Sequence, residues 1–93
     1  MNKNYYRVKR GDTVLSVSEE LSFPPFKLIA DNALTEEIRE GQVLIIIKLS
    51  RPVYRVKPFD SIEEICEKFC IVKQDFLLNN KTDVIYPGIL VYV

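Results

Sequence analysis

The side chains here that could do covalent chemistry are carboxylates and thiols. Glu19-Glu20, Glu36-Glu37 and Glu63-Glu64 are acidic pairs, Cys66 and Cys70 are the two cysteines, and there is no histidine. Hydrolysis of a glycosidic bond needs two carboxyl groups held across that bond at a fixed separation, one of them protonated. Solvated helix or loop faces account for these pairs more simply. A metal site needs more ligands than two thiols, and no imidazole is on offer. A disulfide between residues four apart on a helix has poor geometry. Cys66 continues the apolar stripe of Ile62, Ile65 and Phe69, so both thiols read as reduced fillers of a small core. No catalysis, metal or cofactor is expected of this chain.

The polar residues that do recur belong to a repeat. Tyr6-Arg7-Val8-Lys9 returns 48 residues later as Tyr54-Arg55-Val56-Lys57. Asp12 then aligns with Asp60, Thr13 with Ser61, Val17 with Ile65 and Asn32 with Asn80. Gly41-Gln42-Val43-Leu44 aligns with Gly88-Ile89-Leu90-Val91 at an offset of 47, one residue fewer. Asp12 and Asp60 sit where a side-chain oxygen caps a helix, and Asn32 and Asn80 where asparagine's tolerance of left-handed backbone ends one. A short unit in two copies suggests binding, since tandem sites raise effective affinity.

Composition narrows the partner. Of the 93 residues, 13 are basic and 13 acidic. Nucleic acid and anionic membrane both demand a basic excess, so neither is expected. An apolar share of 47% is that of a globular chain. No apolar run approaches membrane-spanning length; Val43 to Ile47 is of strand length. The opening Met1-Asn2-Lys3-Asn4 has no apolar signal core, so export by the usual route is not expected.

Each copy reads strand, helix, helix, strand. Tyr5 to Lys9 alternates and is rich in aromatic and β-branched residues. Tyr6 and Val8 share the face expected to meet the helices, while Tyr5, Arg7 and Lys9 share the other. Val14, Val17 and Leu21 form a helical stripe, which must stop before Phe23-Pro24-Pro25. Pro25 opens a second helix. Val43 to Ile47 closes the unit. In the second copy Pro52 to Lys57 is the strand and Ser61-Ile62-Glu63-Glu64 has the capping-box pattern. Lys73 to Leu78 is the second helix and Leu90 to Val93 the last strand. The fold class is α+β: two tandem βααβ units, residues 5–47 and 53–93, joined by a short linker, 48–52. In each, two short helices cover one face of a two-stranded antiparallel sheet. Phe23-Pro24-Pro25-Phe26 is expected as an exposed apolar knob.

These blocks resemble the LysM domain. Tyr-Arg-Val-Lys-Arg-Gly-Asp-Thr-Val, then Leu28 to Asn32, then Glu40-Gly41-Gln42-Val43-Leu44-Ile45-Ile46 follow its pattern in order, and the second copy follows it again. The resemblance implies non-catalytic binding of N-acetylglucosamine-containing glycan, peptidoglycan foremost or chitin-like oligomers, in a shallow groove. One wall is the loop from first strand to first helix; the other is the loop from second helix to last strand. In the first copy these are Gly11, Asp12, Thr13 and Val14, facing Asn32, Ala33, Leu34 and Ile38. In the second they are Phe59, Asp60, Ser61 and Ile62, facing Asn80, Lys81, Thr82 and Ile85. Phe59 stands where the family and the first copy have glycine; it stacks on a sugar, blocks the groove or joins the copies. The alternatives are a protein-interaction module of spore-coat or phage-tail type, with an assembly partner protein, and the targeting part of a larger wall hydrolase.

Overall fold

The computed structural model describes residues 2–93. Eight elements follow in order: β1 (Asn2–Arg7), α1 (Val14–Leu21), α2 (Pro25–Asp31), β2 (Val43–Lys48), β3 (Val53–Arg55), α3 (Ile62–Lys68), α4 (Lys73–Asn80) and β4 (Leu90–Tyr92). β1 pairs antiparallel with β2, Tyr6 opposite Leu44, and β3 pairs antiparallel with β4, Tyr54 opposite Val91. The fold is α+β with two two-stranded sheets and four helices, as two βααβ units require. "Repeat 1" and "repeat 2" denote the halves before and after the linker.

Each repeat has its own core. In repeat 1 Val8, Val17, Phe23, Leu28, Ile38, Leu44 and Ile46 are buried together, with Tyr6 packed at the edge. In repeat 2 Val56, Ile62, Ile65, Cys66, Phe76, Val91 and Val93 form the counterpart. The period-two alternation places Tyr6 and Val8 inward and leaves Tyr5 65% exposed.

The backbone turns are duplicated. A bond from Asp12 N–H to the Lys9 carbonyl closes a turn with Gly11 at φ 83°. The bond from Asp60 N–H to Lys57 closes the same turn with Phe59 at φ 70°. This turn needs positive φ at its third residue, where glycine is at ease and phenylalanine strained. α1 and α3 both end on a left-handed residue, Ser22 (φ 50°) and Cys70 (φ 56°), each followed by an N–H bonded back across the last turn. Cys70 therefore points to solvent instead of filling the core, which corrects the expectation for that thiol, while Cys66 is buried.

The halves pack asymmetrically. Phe23, Pro24 and Pro25 are buried, not a projecting knob. Phe23 meets Tyr92 edge-on at 6.0 Å between ring centroids. In repeat 2, Val91 and Val93 face the repeat's own core, so Leu90 and Tyr92 face the other way. Both are nonetheless buried, at 7% and 3% exposure, because repeat 1 lies over them. The linker adds to this seam: Leu49 N–H donates to the Tyr92 hydroxyl at 3.3 Å and Arg51 Nε to the Val93 carbonyl at 3.2 Å. Arg55 donates to both Glu19 carboxylate oxygens, at 2.6 and 2.8 Å. Lys27, buried beneath Phe23, pairs with buried Asp31 and donates to the Ile47 carbonyl.

Candidate functional site

The loop from β1 to α1 is held by Asp12. Its carboxylate accepts the Lys9 N–H at 2.9 Å and the Tyr6 hydroxyl at 2.8 Å. Those two bonds hold the Asp12 carboxyl below the usual carboxylate range, and the bond to Asp12 pushes the Tyr6 phenol up. Asp60 does the same with Tyr54 at 2.6 Å and Lys57 N–H at 2.8 Å, with the same two shifts. Asp12 and Asp60 thus tie the loop back to the strand and are not the helix caps expected of them. The caps are Thr13 and Ser61, one residue later, whose hydroxyls accept the N–H of Ser16 and Glu64. The reciprocal box forms in repeat 1, where Ser16 Oγ accepts the Thr13 N–H. In repeat 2 the Glu64 carboxylate takes the Ser61 hydroxyl instead.

The facing wall is anchored by Asn32. Its amide donates to the carbonyls of Leu28 and Ile45 and its oxygen accepts the Ile45 N–H at 2.7 Å. Asn80 repeats this with Phe76 and Tyr92. Asn32 has φ −108°, and the left-handed residues are the next ones along, Ala33 and Lys81. These asparagines therefore act as side-chain bridges from helix to strand, in place of the left-handed helix stops expected from the sequence. Ile38 is a core residue at 6% exposure, Asn80 is wholly buried, and Ile85 packs against the second core.

What remains open differs between the repeats. In repeat 1, Gly11, Thr13 and Ala33 are exposed, and Val14 and Leu34 are partly so. One acidic residue links the walls: Glu37 Oε1 accepts the Val14 N–H at 3.0 Å. A carboxylate is favoured there because a helix N-terminus presents free amides. Asn32, Ala33, Leu34 and Glu37 also border a hollow of about 410 Å³ with Arg39 and Gln42. In repeat 2 Phe59 is 98% exposed, so it does not join the repeats. Asp60 borders a polar hollow of about 470 Å³ with Glu64, Ile65, Glu67 and Lys68, beside α3 and away from Lys81 and Thr82. Thr82 spends its hydroxyl on a local turn with Val84. Ser61 and Ile62 sit at the start of α3, Ile62 buried.

A cleft of about 600 Å³ joins two candidate groove residues, Val14 and Leu34, to residues that sequence reasoning did not single out. Val14, Leu15, Phe26, Ile29 and Leu34 of repeat 1 meet Tyr86, Pro87 and Ile89 of repeat 2 across it. The repeat 1 half comes from α1, α2 and the loop after it, the repeat 2 half from the loop before β4, and only tertiary packing brings them together. The exposed aromatic beside the Pro87-Gly88 turn was the one available signal.

The acidic pairs do not form a hydrolytic couple. Glu19 is held below the usual carboxylate range by Arg55, and Glu63 by Lys73 at 2.7 Å. A general acid needs the opposite shift. Glu20 pairs with Lys9 and Glu36 with Arg39. Burial pushes the Cys66 thiol up, away from the thiolate a nucleophile requires.

Repeat 1 is thus a βααβ unit whose loops are tied back by Asp12 and Asn32 and linked by Glu37 on the Val14 N–H. The LysM domain family model matches residues 6–46, and this stretch is a LysM domain. The spore cortex-lytic enzyme SleL of Bacillus megaterium QM B1551 is 25% identical, with a TM-score of 0.49 over 98% of this chain and 22% of that one. SleL of Bacillus cereus is 26% identical, with a TM-score of 0.48 over 100% of this chain and 23% of that one. The chain thus spans less than a quarter of the length of these proteins. No curated protein matches it in sequence. Among the described residues no helix is long and apolar enough to cross a membrane.

Proposed function

We propose that this chain is a non-catalytic module that binds N-acetylglucosamine-containing glycan, peptidoglycan foremost, through the groove of repeat 1. The observation that carries the reading is the LysM match over 6–46, together with the exposure of Gly11, Thr13 and Ala33 in the two loops that the resemblance names as walls. An N-acetyl sugar brings an amide and a methyl group. Backbone groups of the two loops pair with the amide, and Val14 and Leu34 receive the methyl. Gly11 lets the chain approach the sugar closely. The groove is shallow, so affinity for a single sugar is weak. The targeting part of a larger wall hydrolase would use this same surface. The protein-assembly alternative drew on an exposed Phe23–Phe26 knob, and the burial of Phe23, Pro24 and Pro25 removes that ground.

Cosedimentation with insoluble peptidoglycan tests the reading. The chain is expected in the pellet, and a soluble N-acetylglucosamine oligomer is expected to release it. A chain that stays in the supernatant at every protein concentration refutes the proposal.

A further inference from the structure

Repeat 2 does not need a groove of its own to take part in binding. The 600 Å³ cleft opens along the wall of the repeat 1 groove, since Val14, Leu34 and Glu37 border both. Its far side is Tyr86, Pro87 and Ile89, carried on the loop between α4 and β4. Tyr86 is 55% exposed, and its ring lies 6.1 Å from that of Phe26. Leu15, on the near side, is 60% exposed. Glu36 and Glu37 stand at the rim.

We infer that Tyr86 of repeat 2 extends the repeat 1 groove, so that the two repeats form one composite site for several consecutive sugars of an N-acetylhexosamine chain. The inference rests on the glycan reading above and adds the role of the second repeat. A pyranose ring carries C–H bonds on its face and hydroxyls on its edge. The aromatic ring of Tyr86 takes the face, the apolar floor takes an N-acetyl methyl, and the Glu36 and Glu37 carboxylates accept hydroxyl hydrogens. A cleft of 600 Å³ lies inside the range of about 300–1,000 Å³ that holds a ligand of several rings. The seam fixes the width: Arg55 grips Glu19 and, at 2.8 Å, the Gly88 carbonyl at the foot of the Tyr86 loop. Phe23 on Tyr92 and the Tyr92 hydroxyl on Leu49 N–H hold the same junction.

Isothermal titration with N-acetylglucosamine oligomers of increasing length, paired with NMR amide shifts on the whole chain, tests this. A short oligomer is expected to shift Gly11–Val14 and Asn32–Leu34. A longer one is expected to add Phe26, Tyr86 and Ile89, at one oligomer per chain, with roughly 3- to 10-fold tighter binding. Tyr86→Ala is expected to bring the longer oligomer down to the affinity of the short one. Tyr5→Ala, on the outer face of β1, is expected to keep the gap. A short oligomer that binds while no length of oligomer moves Tyr86, or while Tyr86→Ala leaves the gap intact, overturns the composite site alone. Silence with every oligomer overturns the glycan reading beneath it.

Discussion

Repeat 1 and repeat 2 share a backbone plan and differ in what covers the outside of each sheet. In repeat 2 the outward side chains of β4, Leu90 and Tyr92, are roofed by Phe23 and its neighbours. In repeat 1 the equivalent face is bare: Tyr5 is 65% exposed and Val43 50%. The helices show the reverse. α2 is buried on several sides and holds Lys27 and Asp31 inside the seam, where α4 has Asp75 and Asn79 at the aligned positions. α4 instead leaves Leu78 67% exposed. The two βααβ halves thus differ in which face each leaves open to solvent.

Four pairs of substitutions break or sharpen that contrast. The largest effect is expected at the seam. Lys27→Ala strands a buried carboxylate and should cost about 3–5 kcal/mol in urea unfolding, against under about 0.5 kcal/mol for Asp75→Ala. A loss equal in the two variants would mean the halves are not differentiated there. Next come the asparagine bridges. Asn80→Ala leaves the buried Tyr92 N–H without its partner and should cost about 2–3 kcal/mol, more than Asn32→Ala at its half-buried site. The loop turns come third. Phe59→Gly relieves a left-handed phenylalanine that packs on nothing and should raise stability by about 1 kcal/mol. Gly11→Phe should lower it by a similar amount, and thermal melts of both decide the sign.

The smallest effect is one of pH. Folding lowers the pKa of Asp12 and of Asp60, so their stabilisation is complete above about pH 4, the ordinary carboxylate value. It drains away as pH falls through the lower folded-state values. Asp12→Asn and Asp60→Asn should therefore be less stable than the parent at neutral pH and converge on it in strong acid. Urea midpoints across that range that stay parallel would contradict the role assigned to these carboxylates.

Much of the fold was legible in the residues. Alternation in β1, the Val14-Val17-Leu21 stripe and Pro25 at the head of α2 are local signals, and local geometry obeyed them. Exact roles were less legible. Asp12 and Thr13 are both good caps, and the choice fell to Thr13 because the Tyr6 hydroxyl and the Lys9 N–H hold the aspartate. Cys70 has the right type for the core and the wrong place, since the helix ends there on left-handed backbone. The Phe23–Phe26 segment looked exposed because its cover, Tyr92, lies in the other repeat. The same distance in sequence hid Tyr86 from the repeat 1 side of the cleft it lines. Contacts between repeats have no periodic signature, so packing across the seam is where sequence reasoning stopped.

The central claim is that glycan is held by repeat 1, with repeat 2 as support. An NMR amide titration of the full chain with a soluble peptidoglycan fragment tests it most directly. The account predicts shifts that begin at Gly11–Val14 and Asn32–Leu34 and leave Asp60–Ile62 and Lys81–Thr82 unmoved. Shifts centred on Phe59–Ile62 and Lys81–Thr82, with Gly11–Val14 silent, would contradict it.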